Sequence, residues 1–349
     1  MYIRKNTIDI ERVRPRQGRM GYLKLDSNEN PEGLPKEFFD KVIKDITPEY
    51  IATYPEPEVL EEELASYLDV KPENLLITNG SDEAIKSIFE VFAEEGKELL
   101  TVWPTFAMYM VYGNMFGMKH VKVDYDNDFS LDFEKFLGKI NKNTGIVSLL
   151  NPNNPIGTVY SVEQARRVIE KAAEVDALVV IDEAYHYFYS KTFVNLIKEY
   201  DNVIVLRTFS KLCSIAGLRI GYAVANKKLI DLLEKIRQTY NVNTIAIKFA
   251  REILKDKDLV VDLINIEHEG REYIINKLKE IGRDYYAQNG NYVFIKCNKN
   301  ADDVYKELEE NMVLVKKYSE PMLKDYIRIS TGSKAVMEKF WNIFMEIDK

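Results

Sequence analysis

The sequence predicts an α/β protein: a large domain with a mostly parallel seven-stranded sheet flanked by helices, followed by a smaller α+β domain. Three observations carry this. Short β-rich runs alternate with amphipathic helical stretches through the first two-thirds of the chain, the pattern of parallel βαβ units. Several of those runs are continuously apolar, as a sheet covered on both faces requires. After about residue 226 the texture changes to long helical stretches and short strands.

Seven runs are candidate strands of the large sheet: 75–78, 99–103, 120–123, 146–150, 178–181, 203–208 and 221–224. Between them lie helical patterns such as 81–93, opened by a Ser-Asp-Glu cap, and 162–173. Further helices are expected over 227–238, 244–254 and 258–281, with strands near 292–296, 314–315 and 326–330 and a last helix over 333–345. Residues 1–30 lack clear periodicity and read as an N-terminal arm, in which Arg12, Arg14, Arg16 and Arg19 crowd around Pro15 and Gly18. Those arginines are either a solvated charge run or a contact to a partner subunit. The expected organisation is an arm at 1–30, a large domain at 31–240, of which 31–48 could pack with the small domain, and a small domain at 241–349.

Composition narrows the function classes. The 349 residues are 46% hydrophobic and 30% charged, enough for a real core and too apolar for a disordered chain. A net charge of −8 argues against a sequence-independent nucleic-acid binder and favours small-molecule partners. Two cysteines, Cys213 and Cys297, make a disulfide framework implausible and fit a reducing compartment. The opening residues lack an apolar signal-peptide core and no apolar run approaches the roughly 20 residues that span a bilayer, so the expected location is cytoplasmic. His120, His186 and His268 lie far apart and in no metal-binding spacing, so no metal is expected. Neither a G-x-G-x-x-G nor a P-loop occurs, and a cofactor would have to be held in another way.

The chemistry concentrates at strand ends. In LRTFSKLCSIAGLRIGY (206–222) a strand runs into a loop with Ser210 and Lys211, and Arg219 follows eight positions later. A lysine alone there would be a solvated loop residue. With a hydroxyl beside it and an arginine one loop away, the set suits a phosphate held next to an amine nucleophile, which is what pyridoxal phosphate requires. In LVVIDEAYHYF (178–188), Asp182 ends a wholly apolar strand, where a carboxylate is costly unless paired. It is either an N-cap or ion-pair residue, or the partner of a protonated pyridine nitrogen. Tyr185, and Asn154 in LLNPNNPIGTVY (149–160), could hydrogen-bond the phenolic oxygen of such a ring. LLITNGSDE (75–83) runs from strand through glycine turn to helix, so the backbone N–H groups of Ser81 and Asp82 offer an anion site. Phe106 follows a turn and could stack on an aromatic ring, and Tyr54 precedes a proline-constrained loop.

LDSNENPEGLP, YPEP, TNGSDE, PTFAMY, NPNNPIG, VIDEAY, RTFSK, GLRIGY and YIRIS occur in the order found in fold-type I pyridoxal phosphate enzymes, and the set most closely resembles the histidinol-phosphate aminotransferase group of class I/II aminotransferases. The resemblance runs from Leu25 to Ser330. It implies a homodimer with shared active sites, in which Lys211 bonds the cofactor and serves as general acid and base, Asp182 holds the pyridinium, Asn154 and Tyr185 contact the ring oxygen, and Phe106 stacks on the ring. It further implies that Ser81, Asp82, Thr208, Ser210 and Arg219 surround the cofactor phosphate, that Tyr54 reaches it from the other subunit, that Arg328 grips the substrate's anionic end, and that Asn30 lies in the segment closing over the substrate. Two departures stand out. The group's Tyr-x-Pro-Gly arm is replaced by RVRPRQGRMGY, and Lys316 occupies a position where the group tends to carry arginine. Lysine is a point charge rather than a planar fork, so Lys316 would bind a phosphate differently.

The expected activity is transamination of a small phosphorylated amine or amino acid with a separate amino donor, histidinol phosphate being the named default. The main rival is a pyridoxal phosphate-dependent decarboxylase of threonine- or serine-phosphate type. A non-catalytic regulator on the same fold is disfavoured, because lysine, aspartate and arginine are all in place.

Overall fold

Seven strands assemble the large sheet of the computed structural model, which describes residues 3, 5–8, 10 and 16–349. They are β1 (Leu75–Thr78), β2 (Glu98–Trp103), β3 (Lys119–Asp124), β4 (Thr144–Leu150), β5 (Leu178–Asp182), β6 (Val203–Thr208) and β7 (Gly221–Ala225). Their order is β1-β7-β6-β5-β4-β2-β3, and β7 alone runs antiparallel to its neighbours. The alternation of side chains explains the apolar runs. Val179 and Ile181 of β5 enter one core while Leu178 and Val180 enter the other, and β6 divides Val203 and Val205 from Ile204 and Leu206 in the same way.

Helices cover both faces. Val162–Ala173 buries Ala165, Val168, Ile169 and Ala172 on one face, and its Ser161–Gln164 capping box satisfies the first turn. Gly80–Phe92 and Lys227–Glu234 bury Ile85, Ile88, Phe89, Leu229, Ile230 and Leu233 on the other. Each of the buried Val, Ile, Leu and Phe side chains contributes about 1.5–3 kcal/mol.

A four-stranded antiparallel sheet, ordered Lys316–Lys317, Tyr326–Ser330, Tyr292–Lys296, Tyr285–Tyr286, forms the smaller body with helices Ala301–Glu310 and Lys334–Ile347. The long helix Lys257–Glu280 joins the bodies, burying Leu259 and Leu263 with the large sheet and Ile274 and Leu278 with the small one.

Three details differ from the sequence reading. Leu23–Lys24, inside the expected arm, pairs in parallel with Val313–Leu314, and Leu25 is fully buried, so the end of the arm is part of the smaller body. The helix Thr244–Lys255, beyond the expected boundary at 240, contributes Ala246, Ile247, Phe249, Ala250 and Ile253 to the core shared with one face of the large sheet, as Lys36–Ile43 does with Phe38 and Val42. The helix expected over 227–238 stops at Glu234, because Ile236 and Arg237 bond to the carbonyls of Leu233 and Glu234, three residues back instead of four.

Candidate active site

The carboxyl ends of the parallel strands share one edge of the large sheet, where open α/β sheets place their ligands. Because β7 is antiparallel, its first residue reaches that edge too and brings Arg219 with it. A cavity of about 360 Å³ opens there. It is lined by Ser81 and Asp82 after β1, Phe106 after β2, Asn154 after β4, Asp182 at the end of β5 and Tyr185 after it, Thr208 at the end of β6 and Ser210 and Lys211 after it, and Arg219 before β7. The smaller body contributes Lys316 and Arg328, and the N-terminal segment contributes Asp26, Ser27 and Asn28.

The anion end is built from two glycines. Gly80 has φ +74°, and a Cβ there would lie 2.6 Å from Arg219 Nη2. A Cβ on Gly221 would lie 2.7 Å from the Ser81 backbone nitrogen. Glycine at both positions lets the guanidinium close on the N-terminus of helix Gly80–Phe92, which has no side-chain N-cap bond. The first-turn N–H groups, with the helix dipole behind them, and the Arg219 cation converge on one place. Ser210 N–H donates to Thr208 Oγ1 (3.1 Å) and the Thr208 hydroxyl donates to Ser210 Oγ (2.9 Å), which fixes the turn ahead of Lys211.

Asp182 and Lys211 occupy the middle. Asp182 is 4% exposed, and its oxygens accept from the Ala184 N–H and the Tyr109 hydroxyl, each at 3.0 Å. Burial pushes its carboxyl up to about 6, against the pull of those two donors and of Lys211. Lys211 Nζ donates to the Ser27 carbonyl at 2.9 Å and sits 5.7 Å from the Tyr185 ring centroid. Desolvation lowers its ammonium to about 8, helped by Arg328 and Arg219 and opposed by Glu29 and Asp182. Tyr185 is buried, accepts from Asn28 Nδ2 at 2.9 Å, and has its phenol raised by burial.

Arg328 lies at the far end and is 3% exposed. Nη1 donates to Asn154 Oδ1 (3.1 Å) and the Tyr318 hydroxyl (2.6 Å), and Nη2 donates to the Asp26 carbonyl (2.6 Å). All three acceptors are neutral. Lys316 stands at the exposed rim, its ammonium lowered first by the surrounding protein and then by Arg328. Among the described residues neither Asp182 nor Arg328 has an oppositely charged side chain within 4.0 Å. The other deeply buried charges are paired: Arg207 with Glu183 at 2.8 Å and Arg283 with Asp348 at 2.6 Å. An unmatched buried anion and an unmatched buried cation in one cavity are what a ligand carrying both charges would satisfy.

Two predicted residues stand apart. Tyr54 is 69% exposed and stacks on Tyr240 with centroids 4.0 Å apart, outside this cavity. Asn30 donates to Ser214 Oγ at 2.7 Å and borders a neighbouring space that Lys211 also borders. Of the arm arginines, Arg12 and Arg14 lie outside the described residues, Arg16 pairs with Glu309, and Arg19 pairs with Asp26 and Glu29. Neither Arg16 nor Arg19 lines the cavity. Sequence reasoning missed Tyr109, Asn28 and Tyr318. Tyr109 was within reach, one helical turn past Phe106, and Tyr318 sits two residues from Lys316, on the same side of an extended segment.

Cys213 and Cys297 are unpaired, no group of three or more His, Cys, Asp or Glu among the described residues is placed to hold a metal, and no described helix is long and apolar enough to cross a membrane.

The family model for class I and II aminotransferases matches residues 21–344. The chain belongs to that family. It is 36% identical over 329 residues to the histidinol-phosphate aminotransferase of Caldanaerobacter subterraneus subsp. tengcongensis, covering 93% of this chain and 92% of the relative. It is 35% identical over 337 residues to the enzyme of that name from Methanocaldococcus jannaschii, covering 93% and 89%. The histidinol-phosphate aminotransferase from Sinorhizobium meliloti, solved in complex with pyridoxal 5'-phosphate, superposes with a TM-score of 0.84 at 25% identity, over 93% of this chain and 90% of that one. This family member is a pyridoxal phosphate-dependent aminotransferase with the fold expected of one. The cavity suits that cofactor, offering an amine, a buried carboxylate without a cationic partner, and an arginine over a helix N-terminus.

Proposed function

We propose that this aminotransferase acts on a small phosphorylated amine or amino acid, with histidinol phosphate the first candidate, and that it works as a cytoplasmic homodimer. The observation that carries the substrate reading is Arg328, a buried guanidinium bonded only to neutral acceptors, with Lys316 beside it. The two cations would take the anionic end of the substrate. The names of the relatives support the imidazole-bearing candidate.

Bound pyridoxal phosphate supplies an aldehyde that accepts the amino group and a protonated ring that draws electrons from the substrate carbon. Ser81, Asp82, Thr208, Ser210 and Arg219 would hold its phosphate, and Asp182 would keep the ring nitrogen protonated. Asn154 and Tyr185 would contact the ring oxygen, and Phe106 its face. Lys211 would bond the cofactor at rest and, once released, take a proton from the substrate carbon at Nζ and return one to the cofactor side. An amine near 8 is suited to both directions at neutral pH. Asn28 would orient Tyr185, and the Ser27 carbonyl would receive the free Lys211 amine. Tyr54 would serve the site of the other subunit, consistent with its exposure away from its own cavity, and Asn30 would close over the substrate.

Incubation with glutamate should convert the bound cofactor to its amine form, followed spectroscopically, and histidinol phosphate should do the same with kcat/KM in the 10⁴–10⁸ M⁻¹s⁻¹ range of native substrates, roughly. Carbon dioxide release from a phosphorylated amino acid, without transfer of the amine, would overturn the proposal in favour of decarboxylation.

A further inference from the structure

We propose that Arg19 is a specificity-determining residue, which neutralises Asp26 and Glu29 beside the cavity and so keeps Arg328 and Lys316 available to an anionic substrate. The inference rests on the phosphorylated-substrate reading above and adds a residue to it from outside the cavity.

The segment Asp26–Asn28 is a wall of the site. Its main chain accepts from Arg328 at Asp26 and from Lys211 at Ser27, and the Asn28 side chain donates to Tyr185. This wall, so close to three functional groups, carries one carboxylate at Asp26 and is followed by a second at Glu29, and both would repel an anionic substrate. Arg19 answers both. Its Nη2 lies 2.6 Å from Asp26 Oδ1 and 2.8 Å from Glu29 Oε1, and Nη1 lies 3.3 Å from Glu29 Oε2. The three side chains are only 22%, 22% and 21% exposed, so water screens them incompletely.

The local sequence is shaped to present this arginine. Gly18 and Gly21 have φ +71° and +90°, with open space where a Cβ would stand, so the glycines serve the turn and not the packing. The Tyr22 N–H closes that turn on the Arg19 carbonyl at 3.3 Å. Arg16 anchors the preceding stretch to Glu309 and Tyr22. The two neutralised carboxylates also face the two cavity lysines separately: Glu29 acts on Lys211 and Asp26 on Lys316, each favouring the charged amine. Arg19 therefore holds the acids of the wall from outside the cavity, while the same acids act on the cations within it. Freed of it, Asp26 and Glu29 would compete with a phosphate for Arg328 and Lys316.

The test compares Arg19→Ala and Arg19→Gln with wild type, using histidinol phosphate and unphosphorylated histidinol. Affinity for each is measured by calorimetry on cofactor-free protein, and kcat and KM on the loaded enzyme. Arg19→Gln should weaken histidinol phosphate by on the order of tenfold, the effect of one unopposed charge acting across the cavity on a dianion. Histidinol should be unaffected, the defect should appear in KM and not kcat, and it should shrink as salt is raised. Adding Asp26→Asn and Glu29→Gln to Arg19→Gln should restore binding, which a purely structural role could not explain. Equal losses for both ligands, or no recovery in the triple variant, would overturn the inference while leaving the phosphorylated substrate standing. A wild type that does not prefer the phosphorylated ligand would remove the substrate reading itself and the inference with it.

Discussion

Replacing Asp182 by asparagine should make the cofactor-free protein more stable at pH 8 while weakening its grip on pyridoxal phosphate. The carboxyl is buried, receives only the Ala184 N–H and the Tyr109 hydroxyl, and is pushed up from 3.8 to about 6. At about 1.4 kcal/mol per pKa unit this corresponds to on the order of 3 kcal/mol of folding stability lost above the higher value. The sign follows from proton binding. Between the two values the folded protein holds a proton that the unfolded chain has released, so stability falls as pH rises through that interval and the loss is complete above about 6. Asparagine is nearly the same size and never ionises. Urea unfolding of the cofactor-free wild type and Asp182→Asn should therefore diverge above pH 6, with the variant more stable, and converge towards pH 4. Saturating cofactor should narrow this gap or close it, because only the wild type gains the charge-assisted bond, worth about 1.5–3 kcal/mol. A variant that is equally or less stable than wild type at pH 8 without cofactor would refute the reasoning that Asp182 is an unmatched buried charge.

Two further outcomes bear on the lysine and on the assembly. In cofactor-free protein the pH dependence of Lys211 acylation, followed by mass spectrometry, should have a midpoint near 8, since reaction requires the neutral amine and burial has lowered it from 10.5; a midpoint near the higher value would show that the amine is solvated. Mixing inactive Lys211→Ala with Tyr54→Phe protein under conditions that exchange subunits should restore activity through one intact hybrid site, whereas a fully active monomer in dilute solution would remove Tyr54 from the partner's site.

The large sheet was legible because it is buried on both faces. Runs such as 75–78 and 203–208 follow turn residues and open on unbroken apolar stretches, with polar residues only at their carboxyl ends, and the strands occupy those same residues. Part of the cavity lining was legible for a related reason: Ser81, Asp182 and Lys211, which the fold brings to one cavity, each follow or end an apolar strand at its carboxyl end. Other features leave no local trace. Leu23–Lys24 is a two-residue strand whose partner lies some 290 positions away, too short to show a period. The helix Ala107–Met115 buries Met108, Tyr109, Val111 and Tyr112 around much of its circumference, so it lacks the polar face that marks a surface helix, and Tyr109 was hidden with it. The junction of the two bodies depends on contacts such as Arg328 with Asn154 and Tyr292 with the Asn153 carbonyl, which no spacing announces. The arginines at 16 and 19 were visible as a charge cluster, but only the fold reveals that both are engaged by carboxylates of this same chain.

The most direct measurement is peptide mapping after borohydride reduction of the protein loaded with pyridoxal phosphate. Reduction fixes the cofactor on the amine that bonds it, and mass spectrometry should find the added pyridoxyl phosphate on the peptide containing Lys211. Label on Lys334, which also follows a serine, or on no single lysine, would contradict the assignment of this cavity as the catalytic site.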